Sequence, residues 1–74
     1  MLKTKEVLKW RNRHSGEEGY VKTVSRAKGY FMSTFNPAEA KSYRSQKEVE
    51  KDLAFLYEIG EMLSNDFFTS TIKA

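Results

Sequence analysis

The stretch Ser45–Leu63, SQKEVEKDLAFLYEIGEML, is where the hydrophobic period of the chain changes from two residues to 3.6, and its reading decides the fold class. Ser45-Gln46-Lys47-Glu48 has the form of a capping box, in which the serine hydroxyl and the glutamate carboxylate each accept a backbone N–H of the first turn. At about 100° per residue, Val49, Leu53, Leu56, Gly60 and Leu63 fall on one stripe. Lys47, Glu50, Lys51, Glu58 and Glu61 fall opposite. The spacing predicts a long amphipathic helix over residues 46–63, stopped by Ser64-Asn65-Asp66.

Before this stretch the pattern is that of strands. Val7–Arg13 alternates, with Leu8, Trp10 and Asn12 on one side and Val7, Lys9, Arg11 and Arg13 on the other. His14–Gly19 is a polar turn bounded by glycine, after which Tyr20–Ser25 resumes β-type composition. Arg26–Gly29 is a second turn, leading into Tyr30–Phe35. Loops this short join antiparallel neighbours, so the three runs form a meander. Asn36-Pro37-Ala38-Glu39 is a helix-start signal good for about one turn. Ser42-Tyr43-Arg44 then reads as a short strand, and Phe67–Lys73 as a terminal strand returning to the sheet. The expected fold is α+β: an antiparallel sheet of four to five strands with one long amphipathic helix packed on one face. Trp10, Val21, Phe31, Phe35, Val49, Leu53, Leu56 and Leu63 should form most of the core.

Seventy-four residues leave room for one small domain and no second core. With no cysteine there is neither a disulfide nor a thiolate metal site. The opening MLKTKEVLKW has no apolar run long enough for a signal peptide, and no segment approaches a membrane span, so a soluble, cytoplasmic protein is expected. Charge is uneven. Residues 1–35 hold eight Lys and Arg against three Glu, whereas residues 36–74 hold five bases against seven acids.

Catalytic and cofactor patterns are missing from the sequence. His14 has no partners at ligand or triad spacing, and Glu17 and Glu18 are adjacent rather than set across a cleft. No glycine loop of phosphate-cradling type occurs. The chain therefore reads as non-enzymatic, with no cofactor. Lys28–Phe35, KGYFMSTF, approaches the aromatic strand of RNA-recognition domains but lacks the small residue between its aromatics. Tyr30 and Phe31 must then point to opposite faces, which removes the base-stacking platform.

Two surfaces are candidates for partners. Phe55, Ile59 and Met62 form a second apolar line beside the main helix stripe, so the apolar arc is wider than the roughly 100° that packing on a sheet requires. Either the terminal strand covers this line through Phe67, Phe68 or Ile72, leaving a monomer, or the line binds a protein partner or a second copy in a weak homodimer. The alternative is sequence-nonspecific nucleic-acid binding, in which Lys9, Arg11, Arg13, Lys22, Arg26 and Lys28 neutralise phosphates from the N-terminal hairpin and the turn after it.

Residues 19–53 carry Gly19-Tyr20-Val21-Lys22, Lys28-Gly29-Tyr30-Phe31, Glu39-Ala40-Lys41, Tyr43 and Ser45 in one order. In this the chain resembles small uncharacterised proteins carried by phages and prophages of Gram-positive bacteria. The resemblance implies a strand at Ala40–Arg44 and a cytoplasmic accessory protein that binds a host protein or nucleic acid. It carries over no active-site residue.

Overall fold

The computed structural model describes residues 3–73. Strands β1 (Thr4–Asn12), β2 (Glu18–Ser25) and β3 (Tyr30–Thr34) are followed by a 3-10 turn at Pro37–Glu39 and the helix α1 (Gln46–Glu58). A second 3-10 turn, Glu61–Leu63, leads into β4 (Asn65–Lys73). The four strands form one antiparallel sheet in the order β3-β2-β1-β4, so the chain is α+β.

β1 and β4 pair along their whole lengths, from Thr4↔Lys73 to Asn12↔Asn65. β1 and β2 pair much less, from Lys9↔Tyr20 to Arg11↔Glu18, next to the turn that joins them. Beyond that point they part, and the chain after the first 3-10 turn enters the gap. Lys41 N donates to Val21 O and Tyr43 N to Glu6 O, each at 2.9 Å. The short strand expected at Ala40–Arg44 is thus reduced to a single bridge, Glu6↔Tyr43. It wedges between two diverging strands, so it cannot extend a ladder with either.

A register shift between Val21 and Thr23 on the β3 side carries an extra residue and reverses the side-chain alternation. Val21 and Val24 consequently both face α1. The core is Leu8, Val21, Tyr43, Val49 and Leu56, with Val24, Phe31, Leu53, Ile59, Met62 and Phe67 packed against it. Val7 is also fully buried although it neighbours Leu8 on the strand and must face the other way. Lys5, which shares the Val7 face, donates through Nζ to Ala40 O at 2.9 Å. That contact lays buried Ala40 over the second face of β1.

The helix is shorter than the pattern over 46–63 implied. Gly60 takes a left-handed conformation (φ 82°), and the N–H groups of Ile59 and Gly60 close the last turn on Phe55 O and Tyr57 O, both at 3.1 Å. The stripe therefore breaks before Leu63, which is 80% exposed rather than in the core. Phe35 is likewise 67% exposed; it sits one residue past β3, with its ring edge-on to Trp10 at 5.8 Å.

Trp10 lies across Gly19, its partner on β2. A Cβ at Gly19 would stand 2.6 Å from Trp10 Cζ2 and 2.9 Å from Nε1, an indole nitrogen that is buried without a hydrogen-bond partner. Gly19→Ala should therefore displace the ring, and overpacking of this kind costs about 1–3 kcal/mol. We expect the melting temperature to fall by about 4–24 °C and the emission of Trp10, the single tryptophan, to shift to the red. An unchanged emission maximum with unchanged stability would show that the ring is not held over this glycine.

Candidate functional site

The most concentrated chemistry lies around a carboxylate that the strand and helix patterns did not single out. Asp52 is on α1 at the same face as Val49 and Leu56, three residues after one and four before the other, and is 2% exposed. Its Oδ1 accepts from Arg26 Nη2 at 2.9 Å. Its Oδ2 accepts from Lys41 Nζ at 2.7 Å and from the Tyr43 hydroxyl at 2.6 Å. Arg26 comes from the β2–β3 turn and Lys41 and Tyr43 from the wedge between β1 and β2, so one carboxylate joins three separate segments. Burial first, and then the hydrogen bond to Asp52, push the Tyr43 phenol well above its ordinary pKa, with Glu48 adding to the effect and Arg26 opposing it. Tyr43 accordingly remains a donor throughout the neutral range.

Local sequence explains why these groups arrive together. Ser45 caps α1 by accepting from Glu48 N at 3.3 Å. The Glu48 carboxylate reaches back one residue beyond the cap, accepting from Arg44 N at 3.0 Å. This fixes the entry of the helix and the end of the wedge together, and places a cleft of about 480 Å³ beside Asp52. Arg26, Lys41, Arg44 and Lys51 line it together with Glu48 and Asp52.

The residues read as a partner surface divide. Ile59 and Met62 pack against the core, as does Phe67 at the start of β4, while Phe55 is half-buried. The exposed apolar groups at this end of the molecule are instead Tyr57, 72% exposed, and Leu63. With Glu58, Gly60 and Met62 they surround a shallow hollow of about 310 Å³.

Of the six basic residues proposed for phosphate contact, four are engaged by carboxylates. Arg11 pairs with Glu18 at 3.4 Å, Arg13 with Asp66 at 2.9 Å, and Lys22 with Glu39 at 3.3 Å. Arg26 is held by Asp52, and Lys28 is exposed in the second turn. Lys9 has a different environment. It is paired across the sheet with both Tyr20 and Phe68, and its ammonium lies 5.6 Å and 5.7 Å from their ring centroids. Because Leu8, Val21 and Phe67 face α1, alternation puts this aromatic–lysine row on the opposite face.

Among the described residues no group of three or more His, Asp or Glu could hold a metal ion, and no helix is long and apolar enough to cross a membrane. Comparison with protein-family models, with curated proteins and with solved structures finds no match.

Proposed function

We propose that this chain is a non-enzymatic binding protein that acts by contact with another protein, through the apolar end of α1. The observation that carries the reading is the exposure of Tyr57 and Leu63 on either side of one hollow. Large apolar side chains grouped in this way, rimmed by Glu58, are what a partner's apolar side chain would cover, and tyrosine is a frequent energetic centre of interfaces. The resemblance of residues 19–53 to phage and prophage proteins makes a bacterial host protein the expected partner. The contact surface differs from the line Phe55, Ile59 and Met62 because the last two of these already serve the core.

The test is capture from a bacterial lysate of a saturable partner whose binding is lost with Tyr57→Glu and Leu63→Glu but kept with Lys47→Glu. These positions are exposed, so circular dichroism should be unchanged in all three variants. Binding that survives both substitutions would remove this surface from the account. Concentration-dependent sedimentation of the chain alone, abolished by Leu63→Glu, would identify a second copy as the occupant.

A second reading rests on the row Tyr20–Lys9–Phe68. Aromatic rings with a cation between them, on the face of the sheet away from α1, suit single-stranded nucleic acid, whose bases stack and whose phosphates are neutralised. Wild-type protein should then raise the anisotropy of a labelled single-stranded oligonucleotide at low salt, and Lys9→Glu with Phe68→Ala should abolish the rise. No rise at low salt, where the electrostatic contribution is largest, would end this reading.

A further inference from the structure

We propose that the cleft between the β2–β3 turn, residues 41–44 and the first half of α1 binds a small phosphorylated ligand. Four cations and two carboxylates line it, and the difference lies in which of them are already engaged. Both oxygens of Asp52 accept protein donors, and Glu48 accepts the Arg44 backbone N–H. Asp52 is therefore fully engaged by protein donors, whereas the exposed Glu48 has only Oε2 engaged, which leaves four cations facing one half-occupied carboxylate. The bases retain donors. Lys41 uses one ammonium proton on Asp52, and Arg26 uses one of its guanidinium nitrogens. Among the described residues, the Arg44 guanidinium and the Lys51 ammonium make no hydrogen bond or ion pair.

Asp52 thus acts as a positioning residue: it holds Arg26 and Lys41 at fixed places on the cleft wall before any ligand arrives. An anion that enters meets donors whose ordering has already been accomplished on folding, which is the condition for affinity from few contacts. The lining also limits what the rest of the ligand can be. Apart from Val24 it is polar, and none of its residues is aromatic, so no ring is offered for a nucleobase to stack on. A volume of about 480 Å³ accommodates a compact phosphate ester or pyrophosphate. The cleft draws on the first half of α1, whereas the apolar hollow lies at its C-terminal end; the two sites are independent.

Calorimetric titration of the full chain at low ionic strength, with inorganic pyrophosphate, inorganic phosphate, glucose 6-phosphate and sulfate in separate arms, tests the inference. Saturable binding of at least one phosphate probe is expected, tighter than that of sulfate. Arg44→Ala and Lys51→Ala should each weaken it about tenfold, the loss of one charge-assisted contact. Both cations lie outside the buried network, so melting temperatures should stay unchanged. Lys73→Ala, which removes a cation that is not part of the cleft lining, should bind as the wild type does. The proposal is overturned if no probe binds saturably, if sulfate binds as tightly as phosphate, or if Lys73→Ala weakens binding as much as the cleft variants.

Discussion

The β2–β3 turn and the wedge are held against α1 by the two oxygens of Asp52. Taking a carboxylate out of water costs several kcal/mol unless its lone pairs are met. Here three donors at 2.6–2.9 Å meet them. Arg26 and Lys41 each keep part of their side chain in solvent, which lowers the cost of bringing the cations in. The Tyr43 hydroxyl supplies the fully buried donor, and its ring enters the apolar core beside Leu8 and Val49. Lys41 also lies 5.0 Å from the Tyr43 ring centroid, so the contacts of the wedge reinforce one another. The geometry is directional in a way that apolar packing is not: it specifies where residues 41–43 must lie, rather than simply that they be buried.

That placement accounts for the shape of the sheet. β1 and β2 can part beyond Lys9 and Tyr20 because the wedge supplies the hydrogen bonds their backbones would otherwise lack, through Lys41 N to Val21 O and Tyr43 N to Glu6 O. The wedge also brings Ala40 to the Lys5 side chain, and at Val7 and Leu8 β1 is buried on both faces. On the other side β4 closes the ladder with an unbroken run of pairs. The polar cleft and the apolar hollow follow from the same helix: its N-terminal half faces the wedge, and its end at Gly60 turns Leu63 outward.

Much of this was readable in local patterns. The caps were explicit, with Asn36 Oδ1 accepting from Ala38 N at 3.0 Å and Ser45 accepting from Glu48 N. Strand alternation gave the three-strand meander and the terminal strand. Gly60 carries the signal for the helix end, but its position on the apolar stripe conceals it, because the stripe runs on to Leu63. Tyr43 looked like a strand residue because its backbone is extended; the divergence it fills depends on contacts far apart in sequence. Asp52 could have been noticed, since an acid spaced at three and four residues from Val49 and Leu56 occupies an apolar face. Its partners could not, because nothing local ties residue 26 or 41 to residue 52. The same limit applies to Ile59 and Met62, whose cover by the core around Phe67 is a tertiary fact.

The role of Asp52 is tested most directly by a double-mutant cycle with Tyr43→Phe, measured by urea unfolding. Asp52→Asn keeps the size of the side chain but removes its charge, and Tyr43→Phe removes the buried donor. Each alone should cost on the order of 1–3 kcal/mol. Because both substitutions act on the same contact, one removing its charge and the other its donor, the double variant should lose less than the sum by about 1 kcal/mol or more. Losses that add to within about 0.5 kcal/mol would contradict the account, since they would mean that carboxylate and phenol stabilise the fold independently.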